Sequence, residues 1–143
     1  MYNFPEGLYS DVRIEKVRET LVSYLKDDLR EMRERDTAGA FIRVFDGARW
    51  YYASITALTG VQQELDRLAK LAKPDKAIAA NPVVKNMPGA GENQSKFIGE
   101  DLRAVPLAKK HAFLASFFPA ITAEPAITMW SGFYKDTCTH KEL

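Results

Sequence analysis

The chain has 143 residues, of which 46% are hydrophobic, 27% charged and 11% aromatic, a composition that suits one globular domain with a core that needs no metal or disulfide. Twenty Lys and Arg against nineteen Asp and Glu leave a net charge of +1, so charge gives no reason to expect nucleic acid or an acidic membrane as a partner. The single cysteine, Cys138, excludes an internal disulfide and fits a reducing compartment. There is no signal-peptide pattern and no apolar run of the roughly 18 residues that a membrane span needs. We therefore expect a soluble, cytoplasmic protein.

The first half of the chain predicts β-strands. Residues 10–17 alternate apolar and charged side chains, and residues 19–26 carry apolar groups on both faces, which favours an inner strand. Residues 29–35 do not alternate, so a short helix stays open there. Residues 40–45 and 49–55 are separated by an Asp-Gly turn, which indicates a hairpin because glycine supplies the positive φ of a tight turn.

A helix is predicted directly after this hairpin. Apolar residues recur at helical spacing over residues 61–72, and Pro74 ends the pattern. Thr59 and Gln62 have the spacing of a capping box, in which both side chains would satisfy free helix N–H groups.

The second half is less regular. Residues 75–99 show no period, and a connection of this length is usually functional or mobile, so we expect a mobile loop. Pro106 is predicted to occupy the first position of a second helix that Pro119 ends. Residues 126–134 predict a strand, followed by a turn at 135–137 and the start of another strand.

These elements together predict one α+β domain over residues 1–143. Its mainly antiparallel sheet carries two principal helices, at about 59–73 and 106–118, packed on it.

No catalytic, cofactor-binding or metal-binding residue is assigned from the motifs. His111 and His140 have no acidic partner at ligand spacing, and Cys138 with His140 supplies two ligands, too few for a zinc site. His111 lies in the apolar stripe of the second helix. It is either a general base or a core histidine, and the core role is favoured because no Ser, Cys or carboxylate partner can be placed beside it.

Several aromatic side chains are left without a place in the core. On a helical wheel, two phenylalanines fall beside Lys109 and Lys110, on the side opposite His111. Two strand aromatics likewise give the sheet a second apolar face. Either a neighbouring domain or partner covers this surface, or helices on both sides of the sheet bury it internally. The interface candidates are Phe113, Phe117, Tyr51 and Phe133.

The sequence resembles a known family over most of its length. Residues 39–54, GAFIRVFDGARWYYAS, are similar to the N-terminal domain of the TldD/PmbA family, also called modulators of DNA gyrase: a glycine, an Arg-Val strand, a glycine turn, and an aromatic followed by Ala-Ser. The strand at 11–15 and the helix at 61–72 fit the same order. Residues 101–110, DLRAVPLAKK, resemble the family's Asp-x-Arg-x-x-Pro-Leu-x-x-Lys segment.

The resemblance implies a domain of a cytoplasmic, dimeric zinc peptidase or of its inactive partner. The family's His-Glu-x-x-x-His zinc motif is not in this sequence, so zinc would belong to the full-length parent. We expect a non-catalytic N-terminal domain, cut from a longer chain, that forms part of the substrate cleft and the dimer contacts. Its partners would be the C-terminal region of the parent, a second subunit in a homo- or heterodimer, and a peptide substrate. The alternative is a standalone peptide- or protein-binding module without enzymatic activity.

Overall fold

The computed structural model describes residues 2–87 and 101–143. The sheet has four antiparallel strands in the order β3-β2-β1-β4. The strands are β1 (Tyr9–Leu25), β2 (Asp28–Phe45), β3 (Trp50–Ile55) and β4 (Ser131–Glu142). The helices are α1 (Val61–Ala69), α2 (Pro82–Lys85), α3 (Leu107–Ala115) and α4 (Phe118–Thr122), with 3₁₀ turns at Leu58–Gly60, Ile78–Ala80 and Leu102–Ala104. The predicted α+β fold is confirmed.

Strands β1 and β2 are longer than predicted. Residues 10–17 and 19–25 belong to one continuous strand, which lies inside the sheet as expected, and the predicted last residue, 26, lies in the turn that follows. Residues 29–35 are strand, so the short helix considered there is wrong. A two-residue turn joins the strands, and Lys26 takes the positive φ (51°) that such a turn requires. Pairing with β1 makes residues 29–35 a strand, although their apolar side chains do not alternate as in a typical strand.

The hairpin of β2 and β3 has the predicted position. Its register runs from Ala40 opposite Ile55 to Phe45 opposite Trp50. Gly47 has a φ of +93°, which a side chain would make unfavourable. The Asp46 carboxylate accepts hydrogen bonds from the backbone N–H groups of the two residues beyond this glycine, at 2.9 and 2.7 Å.

Strand β4 differs from the prediction at both ends. Residues 126–130 lie outside any strand, and the predicted turn at 135–137 lies within a strand that is unbroken from Ser131 to Glu142. The residue types at 135–137 are typical of a turn. They form strand here because Asp136 has buried polar partners, described below, that hold it in the sheet.

The chain forms two compact units, and each is described by itself. Unit 1 holds the described residues 2–16, 38–87 and 140–143, and unit 2 holds 17–37 and 101–139. In unit 1 the apolar face of α1 packs against the sheet, as its periodicity predicts. The core side chains are Leu8, Val12, Ile14, Ala40, Ile42, Val44, Val61, Leu65 and Leu68.

The predicted capping box at α1 is wrong. Gly60 is the N-cap and no side chain caps the helix, because a 3₁₀ turn leads directly into it. The Gln62 side chain instead accepts a hydrogen bond from the Asn3 backbone N–H at 2.9 Å and donates to the Asn3 carbonyl at 3.1 Å. It therefore attaches the N-terminal segment to unit 1.

Residues 75–87 are more regular than predicted. They contain a 3₁₀ turn and the short helix α2, whose N-cap Asn81 accepts from the Val83 N–H at 2.9 Å. The remainder of the expected mobile loop, residues 88–99, lies outside the described residues.

In unit 2 the predicted helix at 106–118 is two helices. Pro106 is the N-cap of α3 rather than its first residue, and Pro119 lies in the first turn of α4. Because proline has no N–H to continue a helical ladder, α3 ends at Ala115 and a new helix starts at Phe118. Within the described part of the chain, no helix has the length and apolar character to cross a membrane.

Candidate functional site

A buried lysine organises the interior of unit 2. Lys110 on α3 has a side chain only 1% exposed, and its Nζ donates to Thr20 Oγ1 at 2.8 Å. The same Nζ lies 3.0 Å from Asp136 Oδ2 and 3.7 Å from Glu34 Oε1. One ammonium group therefore contacts side chains from β1, β2 and β4. We call the set Lys110, Thr20, Glu34, Tyr134 and Asp136 the lysine cluster.

Asp136 is the anionic centre of this cluster. Its Oδ2 accepts from the Tyr134 hydroxyl at 2.7 Å as well as from Lys110. Among the described residues its buried Oδ1 has no hydrogen-bond partner. Burial, followed by the hydrogen bond and the charge of Asp136, raises the pKa of Tyr134 to about 12. The phenol therefore stays a neutral donor at physiological pH, and the geometry suits a fixed polar contact better than proton transfer.

The predicted exposure of Lys110 is wrong. The helical wheel places it with Lys109 beside the exposed phenylalanines, opposite His111, whereas in the structure Lys110 is buried, as is Leu114. A helical wheel that sorts residues by hydrophobicity assigns lysine to the solvent-facing side. The carboxylate that compensates the charge of Lys110 and allows its burial belongs to Asp136, 26 residues further along the chain, so no local pattern indicates it.

His111 is half-buried and contacts a tyrosine. Its Nε2 lies 2.5 Å from the Tyr24 hydroxyl, and the two rings stack with an interplanar angle of 15°. Tyr24 also packs edge-on against Phe118, which contacts Trp130. The partner that the sequence could not supply is thus a phenol on β1. This setting favours the core role over the general base.

Unit 1 has a partly buried ion pair beside a row of aromatic rings. Arg43 Nε donates to Asp11 Oδ2 at 2.9 Å, and a second guanidinium nitrogen contacts the same oxygen. The hydrogen bond to Asp11 raises the pKa of Arg43. The guanidinium carbon also lies 5.0 Å from the centre of the Trp50 ring, a cation–π geometry.

The aromatic rings on this side of β2 and β3 form one continuous row. Their centres are 4.6 Å apart between Phe45 and Trp50, 6.1 Å between Trp50 and Tyr52, and 5.8 Å between Tyr52 and Phe41. All three interplanar angles are 25° or less. Phe45 is buried, whereas Phe41 and Tyr52 are exposed. We call these four residues the aromatic stack.

A groove of about 690 Å³ adjoins the exposed end of the aromatic stack, entirely within unit 1. Residues from all four strands or their ends line it. Its size lies in the range of small-molecule pockets. The groove was not foreseen, because it depends on how distant strand ends come together.

The interface candidates differ in their exposure. In unit 2, Phe113, Phe117 and Phe133 are 59%, 52% and 72% exposed, and the first two rings contact each other at 5.3 Å. In unit 1, Tyr51 is half-buried against the core, and its hydroxyl donates to Asp46 at 3.0 Å.

The zinc that the family resemblance implies does not fit the described residues. Over residues 2–87 and 101–143, no three His, Cys, Asp or Glu side chains form a group able to hold a metal ion. His140 is exposed and lies 3.0 Å from Glu142, and Cys138 is a half-buried free thiol. No chemical step is therefore assigned to a metal in this part of the chain.

The fold defines the class of protein as an α+β domain on a four-stranded antiparallel sheet, and solved structures share that fold. A candidate modulator of a DNA gyrase from Thermotoga maritima aligns over 94% of this chain and 30% of its own, at 14% identity and a TM-score of 0.69. TldE from Thermococcus kodakarensis aligns over 92% of this chain and 31% of its own, at 14% identity and a TM-score of 0.59. The chain thus spans about a third of the length of these structures.

A family model matches the first half of the chain. Residues 10–74 match the model of PmbA/TldA metallopeptidase domain 1. No curated protein matches the chain. The predicted resemblance to the N-terminal domain of TldD/PmbA proteins is therefore confirmed.

Proposed function

We propose that this chain acts as the non-catalytic first domain of a TldD/PmbA-type protein, either a peptidase or its inactive partner. In this role it forms one wall of a peptide-substrate cleft and supplies contacts in a homo- or heterodimer. The parent works in the cytoplasm, and its zinc is held by the C-terminal region. The match of residues 10–74 to a first-domain model supports the placement in a longer protein.

The observation that carries the contact role is the aromatic surface of unit 2. Phe113 lies on α3 and Phe117 is the N-cap of α4; their rings contact each other at 5.3 Å, and the ring of Phe113 also meets the Tyr134 ring at 6.3 Å. Large exposed aromatic side chains that touch one another are typical of surfaces that another protein covers. We assign this surface, with Phe133, to the contact with the remainder of the parent or with its partner subunit.

A first experiment tests whether this domain is catalytic on its own. The 143-residue chain is incubated with zinc and unfolded casein, beside the parent protein at the same concentration. We expect cleavage by an active parent or by its complex with an active partner, and none by the chain alone. Stoichiometric zinc binding by the chain, or cleavage of casein by it, would overturn the proposal.

A second experiment tests the aromatic surface in the parent protein. Phe113→Ala and Phe117→Ala together should weaken dimerisation or raise the KM for peptide about tenfold or more, in line with the loss of interface aromatics. Leu71→Ala is the matched control, because Leu71 is a comparably exposed apolar residue of unit 1. If dimer affinity and KM are unchanged in the double variant, the contact role is wrong.

The alternative function is a standalone binding module that recognises a peptide. It is favoured by β3, which is an edge strand of the sheet and carries the exposed Tyr52. An edge strand can pair with an added peptide strand. A stop codon directly after Leu143 in the coding sequence would support this alternative, whereas a reading frame that continues to a His-Glu-x-x-x-His motif would support the first-domain role.

A further inference from the structure

The aromatic stack ends where the groove begins. Phe41 is the last ring of the stack, is 38% exposed, and is also one of the residues that line the groove. One side of its ring is taken by Tyr52, at a centre distance of 5.8 Å and an angle of 15°. A row of nearly parallel rings therefore stops at a ring that borders open space.

The residues beyond Phe41 explain why the row stops. Its partner across the hairpin is Ser54, which is too small to continue the stack. Two positions further along the same face of β2 is Gly39, which has no side chain. A Cβ added to Gly39 would have only the carbonyl oxygen of Ile55 within 4 Å, at 3.3 Å. The sheet thus presents a hollow where the next ring of the stack would lie.

The groove lining carries charges of both signs, Arg13 and Lys141 against Glu15 and Glu142. Glu142 is paired with Lys16 at 3.4 Å, whereas the charge of Arg13 is weakly compensated. Arg13 lines the groove, and its side chain is 50% exposed. Among the described residues its single ion-pair contact is a long one, 3.8 Å to Asp11, whose carboxylate is already bound by Arg43 at 2.9 Å. The other rim cation, Lys141, is paired with Glu15 at 3.3 Å.

We propose that this groove binds a small ligand in which a planar aromatic ring carries an anionic group. The ring stacks on Phe41 and continues the row of parallel rings, and the anion is bound by the guanidinium of Arg13. Offset stacking is a favoured arrangement of aromatic rings, and the planar guanidinium can bind a carboxylate or a phosphate with two hydrogen bonds. An aromatic carboxylate and a mononucleotide both have this chemistry. The site lies within unit 1.

Calorimetric titration with four probes tests the ligand class. N-acetyltryptophan and AMP contain both ring and anion, whereas N-acetyltryptophanamide and adenosine contain the ring alone. We expect at least one anionic probe to bind with a Kd below about 1 mM and about tenfold more tightly than its neutral counterpart. Which anionic probe binds distinguishes the carboxylate from the phosphate source. If neither anionic probe binds, or if each neutral probe binds equally well, the proposal is overturned.

Variants then test the two contacts. Phe41→Leu, which keeps an apolar side chain, and Arg13→Gln should each weaken binding of the anionic probe about tenfold. Ser54→Trp should abolish binding by placing an indole beside Phe41, where the ligand ring would lie. Phe4→Leu and Arg67→Gln are matched controls, because both side chains are about half exposed and neither lines the groove. Circular dichroism verifies the fold of each variant. Unchanged affinity in the folded Phe41 and Arg13 variants would refute the assigned contacts.

Discussion

Replacing Lys110 by methionine tests whether the lysine cluster holds unit 2 together. Methionine keeps most of the side-chain volume but removes the charge and the donor. It leaves the carboxylate of Asp136, whose side chain is only 6% exposed, without its cation. Removing one partner of a buried ion pair costs about 3–5 kcal/mol, because the remaining charge is buried without compensation. The lost hydrogen bond to Thr20 is part of the same cost, and Glu34 adds little because it is 38% exposed and 3.7 Å away.

The assay is urea unfolding followed by far-ultraviolet circular dichroism. We expect Lys110→Met to lower the free energy of unfolding by about 3–5 kcal/mol with an unchanged m value. Lys109→Met is a closely matched control, since the same change on the neighbouring exposed residue should stay within about 0.5 kcal/mol of the parent chain. Equal stability of the two variants would refute the buried pair.

A double-mutant cycle separates the pair from general packing effects. Asp136→Asn removes the negative charge and retains an oxygen that can accept from Tyr134. In the Lys110→Met background this second change no longer leaves an unpaired charge. The double variant should therefore be at least about 2 kcal/mol more stable than the sum of the single losses predicts. Strict additivity would mean that the two groups do not interact.

Three further predictions concern the hairpin, the aromatic stack and His111. Hydrogen bonds from the backbone N–H groups of Arg49 and Ala48 lower the pKa of Asp46 from 3.8 to about 2. The stability that the Asp46 carboxylate contributes is therefore complete above about pH 4 and is lost as the pH falls toward 2. Asp46→Asn should flatten the decrease in urea midpoint over this interval, and an unchanged pH profile would contradict this role of Asp46. Trp50 is half-buried between Phe45 and Tyr52, so Trp50→Ala should cost about 2–3 kcal/mol, less than a fully buried tryptophan, and a loss below 0.5 kcal/mol in urea unfolding would show that the stack adds no stability. Tyr24→Phe removes the hydroxyl contact of His111 and should lower the free energy of unfolding in urea by about 1 kcal/mol; an unchanged free energy of unfolding would rule the contact out.

The sequence was most informative where local pattern and tertiary environment agree. The apolar positions Val61, Leu65 and Leu68 recur at helical spacing and are the buried face of α1. The Asp-Gly turn at Gly47 is required by backbone geometry alone, so it predicts a hairpin without knowledge of the remainder of the fold. In both places one physical requirement, burial for α1 and a positive φ for the turn, restricts the types of residue that are close in sequence, so the element can be predicted locally.

The prediction failed where partners come from distant parts of the chain. Residues 29–35 lack strand periodicity and become a strand because β1 pairs with them. The groove and the aromatic stack likewise depend on the register between β2 and β3 and on residues near the C-terminus. No local pattern encodes which strand ends meet, so these sites can be seen only in the folded chain.

Lys110 and Asp136 show how two such errors can have one cause. Each was interpreted by its own residue type, lysine as a solvent-facing helix position and Lys135-Asp136-Thr137 as a turn, and each interpretation was wrong. Burying either charge alone is unfavourable, so either residue considered singly is correctly expected at the surface. Burial becomes acceptable only when Lys110 Nζ and Asp136 Oδ2 approach to 3.0 Å and Thr20 and Tyr134 supply further hydrogen bonds. The position of each residue is therefore a property of the pair. The burial of Lys110 and Asp136 could be predicted from the sequence only by asking whether a cation and an anion, each unfavourable in the core alone, compensate each other's charge.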